Sequence, residues 1–329
     1  MKLTFEQIRS VTAGAVRVWE THEGIRFSKC TEGQLAAWYT MKDDLGKRAE
    51  TTTGVRLDFY TSSKELELSA YGGNRFELHL NGLYVATLPM QKLWDEGKTA
   101  LYDLTPYHKN GECRVTVIFP SHAVGVLDGL CLSDGSILRR PDYDVKLLFI
   151  GDSITQGYDS GKDSHSYAWR VTRMLNAESV IHGVGGGRFD PSLFDSIPFD
   201  PDCVIVAFGT NDFNKHPTYE LLRQNARDFL ALTAREYEKK RRYVITPIWR
   251  ARSTTMPMGE FEVAREIIAK EAASLGFAVI DGMELVPHSS EYYADEWLHP
   301  NAEGFALYAE NLVREMGLLL SPKGISQIS

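Results

Sequence analysis

The rhythm of hydrophobicity changes near residue 144, and that change constrains the fold more than any single residue does. Before it, short stretches alternate apolar and polar: Arg56-Leu57-Asp58-Phe59-Tyr60, Glu65-Leu66-Glu67-Leu68-Ser69-Ala70 and Arg114-Val115-Thr116-Val117-Ile118-Phe119. Alternation places every second side chain on one face, as in strands buried on one side only. Phe76–Leu80 and Leu83–Val85 flank Asn81-Gly82, residue types that suit the left-handed positions of a type I′ hairpin turn. Many short strands with turns between them predict an antiparallel β-sandwich or jelly roll over residues 1–143, preceded by a short helix near Leu3–Ser10.

From Asp144 onward the apolar runs become continuous: Val145–Ile150, Cys203–Phe208, Tyr243–Ile248 and the shorter Ala278–Ile280. Runs of this kind read as strands covered on both faces. Helical spacing lies between them, over about Ser166–Leu175, Tyr219–Arg242, Gly259–Leu275 and Glu303–Met316. Strands alternating with helices predict an α/β domain over 144–329, a parallel sheet with helices on both sides. The boundary is placed near Arg139-Arg140-Pro141, and the residues from Leu318 onward read as a loosely attached tail.

Composition removes several function classes. A chain of 329 residues, 43% hydrophobic and 24% charged, buries a large core without disulfides or structural metal. The four cysteines are scattered, with no paired metal-ligand spacing, and read as free buried thiols. A net charge of −8 gives no basic field for nucleic acid. No apolar run approaches the 18 or so residues of a membrane span, and no basic amphipathic helix offers to dock on lipid. The N-terminus lacks the apolar core of a secretory signal, so a cytoplasmic location is expected. Lys239-Lys240-Arg241-Arg242 reads as the cationic end of a helix.

Four short stretches carry chemistry. Gly151-Asp152-Ser153-Ile154-Thr155-Gln156-Gly157 follows the first apolar strand, where an open α/β sheet presents its site. A helix after Ser153 would lend it the positive end of a dipole. Gly183-Val184-Gly185-Gly186-Gly187-Arg188 follows a strand around Ser179–Ile181, and its glycines let backbone N–H groups approach a ligand. Gly209-Thr210-Asn211-Asp212 closes the strand that begins at Cys203, offering a side-chain amide at a strand end. Asp295-Glu296-Trp297-Leu298-His299-Pro300-Asn301 precedes the last helix, and places a general base beside carboxylates that can orient it. Taken singly, each stretch is ordinary loop chemistry. His165 and His182 lie near them without metal-ligand spacing, so no metal is expected.

In this order and setting, the four stretches resemble those of the SGNH hydrolases, also called the GDSL esterase/lipase family, over about residues 145–317. The resemblance implies a flavodoxin-like three-layer fold for the α/β domain. It implies Ser153 as nucleophile, His299 as base, and the Gly186 N–H and Asn211 side chain as oxyanion donors beside the Ser153 N–H. It implies no cofactor. The family places Asp three residues before the His. Here that position holds Glu296, with Asp295 one residue earlier, so either carboxylate is a candidate for the third role. A β-sandwich fused before such a domain resembles some carbohydrate acetylesterases. The implied substrate is a short-chain, acetyl-type ester of an oligosaccharide or small metabolite. Asp152, Trp249, Arg250 and Trp297 are the candidate substrate-binding residues. A lysophospholipase or thioesterase would use the same site, and a carbohydrate-binding module with a degenerate hydrolase half is the reading from another class. A homo-oligomer stays open.

Overall fold

The computed structural model describes residues 1–73, 75–88, 98–251 and 255–318. The tail expected after Leu318 lies outside them. The first part of the chain folds into two antiparallel sheets. One carries Thr12–Ala13, Arg56–Thr61, Cys113–Ile118, Phe76–Leu80 and Leu83–Leu88 in that spatial order, with Leu138–Arg139 also on Arg56–Thr61. The other carries Arg17–Thr21, Gly24–Ser28, Val126–Leu132, Glu65–Tyr71 and Lys98–Asp103. Leu66, Leu68, Leu78, Val115, Val117 and Leu130 meet in one shared core. Glu65 and Glu67 alternate outward from it. The Asn81-Gly82 hairpin forms as read, with φ of 51° and 82° at its two turn residues. The opening helix spans Phe5–Val11 behind a Thr4 cap.

The second part is a five-stranded parallel sheet: β1 (Val145–Gly151), β2 (Ala177–Gly183), β3 (Cys203–Ala207), β4 (Arg241–Ile245) and β5 (Ala278–Ile280). Their spatial order is β2-β1-β3-β4-β5, the flavodoxin-like order. The helices are α1 (Ser153–Gln156), α2 (Tyr167–Met174), α3 (Thr210–Lys215), α4 (Tyr219–Glu236), α5 (Phe261–Ser274) and α6 (Ala302–Glu315). Leu148, Val204, Val206 and Val244 face one helical layer, while Leu147, Phe149, Ile205 and Ile245 face the other. Burial on both sides is why these strands are apolar throughout rather than alternating. The chain order reverses beside β1, and the C-terminal ends of β1, β2 and β3 together form the crevice where such sheets bind ligands.

Three local features depart from the sequence reading. Residues 30–50 are not strand. They form helices Glu32–Met41 and Asp43–Glu50, the first opened by a capping box of Thr31 and Gln34. Cys30, Trp38, Leu45 and Ala49 pack into the α/β core with Leu148 and Val180, so an early segment completes the later layer. The basic run does not end a helix. The α4 helix stops at Glu236, and Arg241 and Arg242 open β4 opposite Cys203 and Val204. Arg242 lies over the Phe277 ring and donates to the Ala234 carbonyl. Finally, α1 is a single turn of four residues, too short to sum a useful dipole.

The four cysteines are free, three buried and Cys131 half-buried. No helix among the described residues is long and apolar enough to cross a membrane.

A buried polar seam fastens the β-rich part to the α/β part. The Arg114 guanidinium forks onto Asp58 at 2.8 and 2.7 Å and reaches Asn176 Oδ1 at 3.1 Å. Arg56 donates to the Ala177 carbonyl at the start of β2. Nearer the C-terminal end of β1, the Asp163 amide donates to Glu77 and the Gln156 side chain donates to the Ser121 carbonyl. The rigidly held seam brings the β-rich loops up to the segment that follows Ser153.

Candidate active site

The turn after β1 has no room for a side chain at its first residue. A Cβ on Gly151 would lie 2.1 Å from Thr155 Oγ1. Asp152 caps α1 by accepting from the Ile154 amide at 2.9 Å, and Gly157 ends it at φ 88°. Ser153 is thereby fixed as the first residue of the turn, and its Oγ lies 2.9 Å from His299 Nε2.

His299 sits in a tight loop between β5 and α6. Tyr293 bridges Pro300, and the Ala294 amide donates to the His299 carbonyl. Inside that loop Asp295 Oδ1 accepts the backbone amides of Trp297, Leu298 and His299 at 3.1, 2.8 and 3.0 Å. Its other oxygen, Oδ2, lies 2.8 Å from His299 Nδ1. Asp295, not Glu296, therefore takes the inner ring nitrogen. Glu296 is exposed and left-handed at φ 62°. That kink absorbs the one extra residue between the carboxylate and the imidazole. Burial raises the Asp295 carboxyl, but the Leu298, Trp297 and His299 amides and the His299 charge outweigh it and hold it below the usual range.

The Gly-rich loop after β2 is held by contacts on three sides. Gln156 Oε1 accepts the Gly185 amide at 2.6 Å, Arg48 donates to the Gly185 carbonyl at 2.8 Å, and Lys215 donates to the Gly186 carbonyl at 3.0 Å. Gly186 is left-handed at φ 84°. Among the described residues its N–H and that of Ser153 have no protein acceptor. Asn211, in the first turn of α3, donates to the Gly187 carbonyl at 3.0 Å and lies 3.4 Å from Asp152 Oδ2. The four stretches read from the sequence thus converge on Ser153. The result is a serine hydroxyl on an imidazole and an imidazole on a carboxylate, contacts that acyl transfer through a serine needs.

The candidate substrate-binding residues mostly serve the scaffold. Asp152 is buried, caps α1 and has its carboxyl pushed up to about 7, chiefly by burial. Arg250 is 3% exposed, donates to Thr210 Oγ1 and Asn214 Oδ1, and lies against Phe213, Phe261 and Trp297. Trp249 stacks on His288 and packs against Tyr293. Trp297 backs Arg250 and lends its amide to Asp295.

Sequence reasoning missed residues beside His299. The Tyr158 ring lies 5.7 Å from that of His299, and Asp159 Oδ2 lies 3.4 Å from His299 Nδ1. Both directly follow Gly157, which was the only available signal. They line a cleft of about 500 Å³ whose far wall is Arg75, Pro120 and His122 of the β-rich part. Nothing local in the sequence marks that wall. The ligand atoms of Asp159, Asp295 and His299 lie within 4.8 Å of one another, close enough for a cation. His299 Nδ1 and Asp295 Oδ2 are, however, already joined by their own hydrogen bond.

Comparison with known proteins finds the same fold in solved structures. Solved structures of similar fold include a salicylyl-acyltransferase from a tetracycline biosynthetic pathway, 17% identical over 93% of both chains with a TM-score of 0.76. A GDSL-like lipase from Bacteroides ovatus is 15% identical, covers 98% of this chain and 99% of its own, and has a TM-score of 0.74. A family two carbohydrate esterase from Clostridium thermocellum, solved with cellohexaose, is 16% identical over 82% of this chain and 94% of its own, at a TM-score of 0.63. No curated protein matches the sequence. Residues 149–307 match the GDSL-like Lipase/Acylhydrolase family, and this span holds Ser153, Gly186, Asn211, Asp295 and His299 together. The α/β part of this chain is thus similar to the GDSL-like lipase/acylhydrolase family over residues 149–307, and this match supports an ester hydrolase.

Proposed function

We propose that the protein is a serine esterase that removes a short acyl group, of acetyl size, from a carbohydrate or another small polyhydroxylated metabolite. The observation that carries this reading is the continuous chain from Ser153 Oγ through His299 to Asp295, at 2.9 and 2.8 Å. Ser153 Oγ attacks the ester carbonyl as His299 Nε2 takes its proton, and Asp295 stabilises the imidazolium that forms. Negative charge on the carbonyl oxygen is met by the Ser153 and Gly186 amides and the Asn211 side chain. His299 then protonates the departing alcohol, and water drawn in by the same imidazole hydrolyses the acyl-enzyme. A methyl on Gly186 would meet Leu45 Cδ2 and an Arg48 nitrogen at 3.2 Å, so that position suits a residue without a side chain. The fold shared with carbohydrate esterases is the reason for trying acetylated sugars first.

A lysophospholipase or thioesterase would use the same array, and acyl-chain-length preference separates it from an acetylesterase. Against a binding module with a degenerate hydrolase half stands the contact of Asp295 Oδ2 with His299 Nδ1 at 2.8 Å, which a binding role does not need.

The test is p-nitrophenyl acetate hydrolysis together with fluorophosphonate labelling. Ser153→Ala is expected to lose both label and turnover, with kcat falling by about 10⁶. Asn211→Ala is expected to lose roughly 10²–10³ and keep the label. Turnover that survives in a folded Ser153→Ala protein sinks the proposal.

A further inference from the structure

In an acyl transfer through this array, the leaving alcohol must lie on the imidazole side, because His299 Nε2 returns the proton to it. A cleft of about 500 Å³ adjoins this imidazole, with the Tyr158 ring of its lining 5.7 Å from the His299 ring. Tyr158 spans from the His299 ring to Gly185, where an added Cβ would meet its ring at 2.9 Å, and Asp159 Oδ2 lies 3.4 Å from His299 Nδ1; Ser153, Gly186 and Asn211 do not line the cleft themselves. Its size lies within the roughly 300–1,000 Å³ of small-ligand sites, far more than an acetyl group needs. We infer that this cleft is the subsite for the alcohol half of the ester, and that the β-rich part of the chain supplies its specificity through Arg75 and His122. The inference rests on the esterase reading above and deepens it.

The lining states the chemistry of the occupant. Arg75 and Asp159 bring one charge of each sign to the same cleft, both on exposed side chains. A cation alone would call for an anionic ligand, and a carboxylate alone for a cationic one. Both together suit a neutral group that can accept from a guanidinium and donate to a carboxylate, as paired hydroxyls do. Tyr158 and His122 meet edge to face at 4.5 Å between ring centroids, and their ring surfaces suit the apolar C–H face of a sugar ring. The occupant is therefore a neutral polyol, a sugar unit carrying the acyl group. The β-rich wall stays in place because Gln156 is bonded to Ser121, next in sequence to His122.

The experiment compares kcat/KM for an acetylated disaccharide with kcat/KM for p-nitrophenyl acetate, whose alcohol has no hydroxyls to offer Arg75 or Asp159. Two variants on the β-rich wall are measured against wild type. Arg75→Ala removes the donor, and Ala123→Trp fills the cleft from the same wall. The sugar-to-nitrophenyl ratio is expected to fall about tenfold or more in each, since a hydrogen bond to a charged group is worth at least that factor. A ratio unchanged within about twofold in both variants, with Ser153-dependent turnover intact, overturns the subsite assignment and leaves the esterase reading standing. Absence of Ser153-dependent turnover in wild type overturns both. A carboxylated or phosphorylated alcohol preferred over the neutral sugar overturns the assignment of the occupant.

Discussion

Asp295 and Glu296 show how one backbone angle decides a chemical role. Glu296 has the family spacing from His299, yet the left-handed turn at Glu296 swings the preceding carboxylate onto Nδ1. Three amides then fasten Asp295 Oδ1. Such a carboxylate holds the imidazole in one tautomer and compensates its charge as the proton arrives. Asp295→Asn is expected to lower kcat by roughly 10³–10⁴ with KM little changed, because the amide would face Nδ1 with the wrong group. Glu296→Gln is expected to stay within about twofold of wild type. Steady-state kinetics of the two single variants decides between them, and the opposite ranking would refute the assignment.

At the scale of elements, the Gly-rich loop after β2 is held by a helix that lies more than a hundred residues earlier in the chain. Helix Asp43–Glu50 buries Leu45 and Ala49 in the α/β core and sends Arg48 to the Gly185 carbonyl. Lys215 of α3 takes the next carbonyl. With both carbonyls held, the intervening amide of Gly186 keeps one direction, the preorganisation that makes such donors effective. Arg48→Ala should therefore lower kcat about tenfold while circular dichroism stays unchanged, since one such contact is worth about that factor. An unaltered kcat would mean that the loop holds itself. The preceding helix, Glu32–Met41, has a legible start in the Thr31…Gln34 capping box, whereas Asp43–Glu50 opens at Lys42 without a side-chain cap. The target of Arg48 has no local signal either, because nothing within the 43–50 window refers to Gly185.

Across the whole molecule, the two parts are joined by buried polar groups whose protonation is part of their stability. Asp163 lies at that junction, 3% exposed, with Oδ2 accepting the Ser121 amide and Oδ1 unpaired. Burial, then the neighbouring Glu77 charge, pushes its carboxyl up to about 7. The folded state thus holds this proton more tightly than the unfolded chain, whose aspartates titrate near 4. Stability must fall as pH rises from about 4 through about 7. Asp163→Asn keeps an acceptor for Ser121 and cannot ionise. Its urea midpoint relative to wild type is expected to improve between pH 5 and pH 8, and a difference independent of pH would show that Asp163 does not carry this linkage. Much of the architecture was legible beforehand. Alternation and continuous apolar runs are local properties, and they separate an antiparallel sandwich from a parallel α/β sheet within windows of a few residues. Ser153 and His299 were legible from the order of four motifs, although 146 residues separate them. The acid, the burial of Arg250, the stacking of Trp249 on His288, the tethers on Gly185 and Gly186, and the Arg75–His122 wall were decided only in three dimensions. Each depends on which distant surface a side chain meets, and that information belongs to the packed molecule, not to any stretch of its sequence.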